Sequence, residues 1–574
     1  MSEKKPARQG SGRKAAAPSA RDTVSNTMME SPLADITLVL QRRAPLPSVE
    51  RLGGLLPEKR HHLSARELAS RFGPAPETLA QLRTLLAGEP EVKVQFLDEV
   101  TGAVRLKGPS ISLTRIHDAL GKGVRGGFGL HKLPPPERVR STALEKATTQ
   151  PPERSVHPLR LVRPFTQHKD HGSWVTPYTA PQVARLYDFP ALDGEGQCLG
   201  FIQLGGSYKA SDMTAYFEEL GLKVPRITSK GEGRPLHNAF ADMEVTMDVQ
   251  IAGALCPKAH LVIYNSNDVS IDGYFNALCM ALADDEDRPS VLSVSWSFPE
   301  IDGMGPTAQQ VELFEELLTL AVLKGITICS STGDQGASIP IIPPNTQTDA
   351  NGFSTGWLTP AASFTATSPL VLACGGTSLA KVKGNRIREE VVWNRLAERL
   401  DYAVGMQSGP YSMATGGGIS RMFKRPAYQR LAQVPCAITQ QWNNFHLAMP
   451  RHFEGRGTPD VAANADLNTG FSFVYKGKWS VGGGTSAAAP LWAALIILIN
   501  QALSESHGRE VRTGWLNPLL YRLRLSRKLN VVRPITQGNN GAYTASPNRD
   551  WNPCTGLGSP RGRSLARALG ARVR

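Results

Sequence analysis

Three short stretches of this chain hold side chains that could carry out acyl transfer. The first is Gly482-Gly483-Gly484-Thr485-Ser486-Ala487-Ala488-Ala489-Pro490, followed at once by Leu491-Trp492-Ala493-Ala494-Leu495-Ile496. A glycine run ends on one hydroxyl residue, and an alanine-rich apolar helix pattern begins behind it, so Ser486 sits at or just inside a helix N-terminus. Small neighbours leave room for a substrate backbone, and the helix dipole favours negative charge beside the hydroxyl. Such a serine is a candidate nucleophile provided a base lies within reach. Taken alone, Gly-Thr-Ser reads better as a loop with an N-cap serine.

The second stretch runs from Asp242 to Ala254. Glu244 and Asp248 are four residues apart, so on a helix their carboxylates share one face. Their neighbours are small and apolar, which implies partial burial. Two like charges in a poorly solvated site do not both ionise easily, so one carboxyl titrates high and becomes a usable base under mildly acid conditions. The commoner meaning of such a pair is a solvated acidic face, which the apolar continuation through Leu255 argues against. The third stretch, Ser330-Ser331-Thr332-Gly333-Asp334-Gln335-Gly336, follows the strand pattern Ile326-Thr327-Ile328-Cys329. Asp334 is either an ordinary turn aspartate or a carboxylic acid kept neutral to donate a hydrogen bond to a developing oxyanion.

A Ser-His-Asp relay has no support in the sequence. His171 lies in a linker pattern, His237 stands alone before Glu244, and no His-Gly-Thr-His motif occurs.

The elements that would position these groups form a long α/β pattern from Tyr178 onward. Strand candidates are Cys198 to Leu204, His260 to Tyr264, Val291 to Trp296 and Ile326 to Ser330. Helical stretches alternate with them: Met213 to Leu220, Glu244 to Leu255, Ile271 to Ala283 and Ala308 to Leu323. Short apolar strands separated by helices predict a doubly wound parallel sheet, whose active site collects at the carboxyl ends of the strands. Before it, residues 31–120 read as a small α/β open sandwich, with strands at 34–40, 92–96 and 103–106 and a helix capped by Ser64 and Glu67. Residues 121–175, rich in proline and arginine, read as a linker open to proteolysis. Residues 1–30 read as a polar tail without the apolar core of a secretory signal.

Composition removes several classes. No apolar run reads as long enough to span a bilayer, and the seven cysteines show neither a Cys-x-x-Cys pair nor a zinc pattern. The formal charge of +14 invites a nucleic-acid reading. From Arg105 to Arg160, however, eleven Lys/Arg face four Asp/Glu, and Arg561, Arg563, Arg567, Arg572 and Arg574 crowd the end. The excess thus reads as a linker and a tail, with no patterned nucleic-acid face.

In order along the chain come Tyr178-Thr179-Ala180-Pro181-Gln182-Val183-Ala184, Glu244-x-x-x-Asp248, Ser293-Val294-Ser295-Trp296, Gly333-Asp334-Gln335-Gly336, Ala373-Cys374-Gly375-Gly376-Thr377, Thr415-Gly416-Gly417-Gly418-Ile419-Ser420, Pro459-Asp460-Val461-Ala462-Ala463-Asn464-Ala465-Asp466 and Gly484-Thr485-Ser486. Each is weak alone; together they resemble the sedolisins, or serine-carboxyl peptidases, and most closely the kumamolisin-type members with an N-terminal activation domain. The resemblance implies a subtilisin-like α/β catalytic domain at 176–574, and an activation domain at 31–120 that inhibits and chaperones its own peptidase until self-cleavage in the linker. It implies Ser486 as nucleophile, Glu244 as base, Asp248 as its proton-sharing partner and Asp334 as oxyanion donor. Ser295, Trp296, Gly333 and Gly484 would line the substrate, a polypeptide cut under acid conditions, and catalysis would need no cofactor. Export is expected from the family, although the N-terminus shows no signal. The expected activity is that of an endopeptidase; a tripeptidyl-peptidase or a silent scaffold homologue are the alternatives.

One departure concerns a structural calcium site. Where the family carries two aspartates, this chain has Pro534, in Arg533-Pro534-Ile535-Thr536, and Asn552, in Asp550-Trp551-Asn552-Pro553. The Ile535 carbonyl and Asp550 remain as ligands, a thin set for a cation that prefers several anionic oxygens.

Overall fold

The computed structural model describes residues 32–133, 163–164, 177–232, 239–300, 305–341, 357–360, 362–395, 413–435, 441–442, 445–446 and 454–573. His171, His237 and most of the 121–175 segment lie outside the described residues.

In the N-terminal unit, β1 (Leu33–Leu40), β2 (Lys93–Leu97), β3 (Ala103–Pro109) and β4 (Val124–Phe128) form an antiparallel sheet in the order β2-β3-β1-β4. Helix α1 (Ala65–Phe72) opens on the capping box of Ser64 and Glu67. Helices α2 (Pro76–Ala87) and α3 (Ser110–Leu120) cover one face, where Leu79, Leu82, Leu113 and Ile116 meet Ile36, Leu38, Val104 and Leu106. The sequence pattern ends this unit at residue 120, but the fourth strand lies beyond it. The glycines of β4 hide its alternation, and they are needed for close packing. A Cβ added at Gly127 would lie 2.5 Å from the Thr37 carbonyl oxygen.

The larger unit is an eight-stranded sheet. Its strands are β5 (Cys198–Leu204), β6 (Ile227–Gly231), β7 (His260–Ser266), β8 (Val291–Val294), β9 (Thr327–Ser331), β10 (Leu372–Lys383), β11 (Arg386–Val392) and β12 (Val461–Asn464). They are ordered β11-β10-β9-β8-β5-β7-β6, with β12 also on β10, and every pairing is parallel except β10 with β11. Helices α4 (Ala239–Leu255) and α7 (Thr485–His507) fill one face; α5 (Ile271–Ala283) and α6 (Ala308–Leu323) fill the other. Contrary to the sequence reading, helix α7 is apolar and long enough to cross a bilayer, but its apolar stretch, 485–503, is buried as the central core helix. The open face of the N-terminal sheet docks on α5 and α6, where Phe128 stacks on Phe275 at 4.1 Å between ring centroids.

Docking also corrects the charge reading. Arg105 pairs with Glu232 and Arg125 reaches Glu316, so part of the basic excess counted from Arg105 to Arg160 faces acids of the larger unit.

Candidate active site

Ser486 is the second residue of α7, behind Gly484, which caps the helix at φ 85°. A side chain at 484 would be strained in that left-handed conformation. Pro490 lies within the helix and has no N–H to give the Ser486 carbonyl. The Ser295 hydroxyl reaches that carbonyl at 3.3 Å instead, just beyond the carboxyl end of β8.

The same hydroxyl contacts Asp248 Oδ2 at 2.9 Å, and Gln203 Nε2 donates to Oδ2 at 2.8 Å. Trp296 Nε1 donates to Gln203 Oε1 at 2.9 Å, which fixes the amide with its N–H toward Asp248. Both donors therefore fall on one oxygen of Asp248. Asp248 Oδ1 and Glu244 Oε1, on residues one helical turn apart, are both buried without a hydrogen-bond partner among the described residues. A single shared proton satisfies both, whereas two bare charges there would carry a heavy desolvation cost.

Glu244, Asp248, Asp334 and Ser486 are each less than 8 % exposed. Burial raises the pKa of Glu244, opposed by the hydroxyls of Ser486 and Ser295 and reinforced by Asp334. Burial raises that of Asp248 well above the ordinary carboxyl value, and the charge of Glu244 adds to it. Burial also pushes Asp334 up to about 6, against the opposing donors of Thr485. Those donors, the Thr485 backbone N–H and hydroxyl, both reach Asp334 Oδ1 at 2.7 Å. When Asp334 is neutral its proton belongs on Oδ2. The Gly333 N–H in turn reaches Thr485 Oγ1 at 3.0 Å.

The structure thus gathers Ser486, Glu244, Asp248, Asp334, Ser295, Trp296, Gly333 and Gly484 at one end of the sheet. The sequence reading missed Gln203 and Thr485. Gln203 left one signal, an amide near the carboxyl end of an otherwise apolar strand.

The C-terminal loop does not fit a calcium ion. Asn552 Nδ2 donates to the Ile535 carbonyl at 3.1 Å, and Asn552 Oδ1 accepts from the backbone of Cys554 and Thr555 and from the Thr555 hydroxyl. An amide donor therefore meets the carbonyl that a cation would need. Asp550 pairs with Arg524 at 2.9 Å and Lys528 at 2.6 Å, and the hydrogen bond from Lys528 holds its carboxyl below the usual range. The expected ligands Ile535 and Asp550 are thus committed to amide and cationic partners, as Pro534 and Asn552 had suggested. Elsewhere among the described residues, Asp284, Glu286 and Asp287 cluster, but Lys230 Nζ binds Asp284 and Asp287 at 2.7 and 2.6 Å and already supplies a cation.

Comparison with known proteins agrees with this geometry. No family model matches the chain. Kumamolisin of Bacillus sp. strain MN-32 is 34% identical over 560 residues, covering 93% of this chain and 91% of that protein. Aorsin of Aspergillus oryzae is 25% identical over 70% of this chain and 67% of its own length. A tripeptidyl-peptidase of Aspergillus fumigatus is 26% identical over 87% and 85%. Among solved structures, Pseudomonas sedolisin, a serine-carboxyl proteinase complexed with two molecules of pseudo-iodotyrostatin, superposes with a TM-score of 0.54. It covers 69% of this chain and 99% of its own at 23% identity, a likeness of fold. The α/β sheet, the serine at its helix N-terminus and the similarity to kumamolisin over nearly the whole length lead to one assignment: this chain belongs to the sedolisin family of serine-carboxyl peptidases, on its kumamolisin-like side.

Proposed function

We propose an acid-acting endopeptidase made as a self-processing zymogen, in which Ser486, Glu244, Asp248 and Asp334 do the chemistry. The observation that carries the proposal is a serine at a helix N-terminus beside three buried carboxyls that have no cationic partner among the described residues.

The Ser486 hydroxyl attacks the peptide carbonyl carbon while its proton passes to Glu244, and Asp248, holding the shared proton, orients that carboxylate. The carbonyl oxygen gathers negative charge and accepts a hydrogen bond from the neutral carboxyl of Asp334. As the C–N bond breaks, Glu244 returns the proton to the departing amine and an acyl-enzyme remains. Water then repeats the sequence, with its proton taken by Glu244 and Ser486 as leaving group. Asp334 titrates near 6, so its donor is present in acid and lost as pH rises through that value. Ser295, Trp296, Gly333 and Gly484 frame the place for a polypeptide substrate. No cofactor enters these steps.

The docked N-terminal unit acts here as the intramolecular inhibitor and chaperone, with cleavage between residues 121 and 175. An exported enzyme suits this reading, since an acid medium would trigger it. Relatives named as tripeptidyl-peptidases support a second reading, release of tripeptides from free N-termini. The lengths of the fragments released from a long peptide separate the two.

The test shifts the purified full chain from pH 7 to about pH 4, near the carboxyl range, and follows its mass beside a Ser486→Ala control. Shortening within 121–175 in the parent alone is expected. A Ser486→Ala chain processed equally fast, or a folded parent that never shortens, contradicts the proposal.

A further inference from the structure

Residues 53–63 cross from the N-terminal unit onto the larger one as a strap, where Leu56 and Leu63 pack on its core and arginines reach backbone carbonyls across the seam. Arg60 Nη1 donates to the carbonyls of Thr513 and Trp515 at 2.5 and 2.8 Å. From the other side, Arg509 Nη2 reaches the Glu58 carbonyl at 2.5 Å and Arg522 Nη1 the Gly54 carbonyl at 2.7 Å. Gly53 lies against Trp515 and Pro518, and the Leu63 N–H donates to the Leu323 carbonyl at 2.8 Å.

His62 sits at the seam. Its imidazole lies so close to two glycines that a Cβ on Gly325 would come within 2.5 Å of Nδ1, and one on Gly514 within 3.1 Å of Nε2. Arg60 and His61 face it from the strap and Arg512 from the 508–516 loop. Glu510, the acid facing it, is already paired with Arg512 and Arg288. A proton added to His62 therefore creates a positive charge among cations, in a seam whose donors already use the nearby carbonyls.

We propose that the strap is an acid-released clamp on the N-terminal unit, and that protonation of His62 undoes it. Burial, reinforced by Arg60 and Arg512, lowers the pKa of the docked His62 to about 4 from its ordinary 6.5. A group whose pKa falls on docking stabilises the docked form above the free value and withdraws that support as pH falls toward the docked one. Docking of the strap is then roughly 30-fold weaker at pH 5 than at pH 7.5. The zymogen reading gives this opening its purpose, since it would free the N-terminal unit under the conditions in which the peptidase works.

Hydrogen–deuterium exchange on the full-length Ser486→Ala chain tests the clamp without self-processing. Between pH 7.5 and 5, after correction for intrinsic exchange, protection in 54–63 and 508–516 should fall about 30-fold in that chain and less than about 3-fold with His62→Gln added. An equal loss in both overturns the proposal. Should His62→Gln fail to fold, the protonation midpoint of His62 in the folded Ser486→Ala chain, read by NMR of labelled imidazole, decides: a midpoint well below 6.5 that tracks the loss of protection is expected, and a His62 that titrates at 6.5 with the strap closed overturns the proposal. The two readings fail separately. Acid opening of the strap with no processing of the Ser486 chain defeats the zymogen and leaves the clamp. Processing with the strap closed defeats the clamp and leaves the zymogen.

Discussion

The buried carboxyl of Asp460 and those of the candidate active site are treated in opposite ways. Asp460, wholly buried, accepts from Arg456 Nη2 at 2.7 Å, Asn517 Nδ2 at 3.0 Å, the Ala373 N–H at 2.9 Å and the Tyr521 hydroxyl at 2.9 Å. Burial raises its pKa, and Arg456 opposes the rise. Glu244, Asp248 and Asp334 receive hydroxyls, amides and an indole-braced glutamine, but no cation among the described residues, and an oxygen of each of the first two is left bare. A carboxylate surrounded by donors with a fixed counter-charge is a strut. One deprived of a counter-charge keeps a proton it can trade, and the fold bears that instability where chemistry needs it.

The largest effect expected from this contrast is on turnover. Glu244→Gln removes the base and should lower kcat/KM by roughly 10³-fold or more, read on a peptide substrate near pH 4. The same variant should gain stability at neutral pH. A carboxyl whose folded pKa is raised supports the fold in acid and loses that support as pH rises above its ordinary value near 4.5. Thermal melts should therefore show Glu244→Gln above the parent at pH 7.5 and level with it at pH 4; a deficit at both would mean the carboxylate is structural. Next in size, Arg456→Met strands Asp460 as an unpaired buried charge and should cost about 3–5 kcal/mol in denaturant unfolding. A near-neutral result would remove the distinction between the two sites. The smallest effect concerns calcium: EDTA should leave the melting temperature of the parent unchanged. Asn552→Asp, which gives up the amide donor to Ile535, should lower it by a few degrees. A chelator-sensitive parent would show that the loop holds a cation.

Much of this was legible in the residues. Ser486, Glu244, Asp248 and Asp334 stood out because their spacing is local: a glycine run before a helix, two acids at i and i+4, an aspartate after an apolar strand. The strands at 198–204 and 260–264 and the helices at 271–283 and 308–323 were equally plain, since buried parallel strands and their covering helices are nearly all apolar. Gln203 and Thr485 gain their meaning from partners 45 and 151 residues away, a pairing no local period records. Strand β4 was lost to its glycines. Asn552 raised doubt about the calcium site, but the bond from its amide to the Ile535 carbonyl becomes visible only when the loop is folded.

The account turns on uncompensated carboxyls holding protons, and the pH dependence of turnover tests this most directly. Asp334→Asn keeps an acceptor for Thr485 and a donor for the oxyanion but does not ionise. For the processed parent, kcat/KM should carry a falling contribution above pH 6 as Asp334 loses its proton. The asparagine variant should be slower in acid and lack that contribution, so the ratio of parent to variant should drop as pH rises through 6. The same falling limb in both proteins would place the controlling proton elsewhere and contradict the assignment of Asp334.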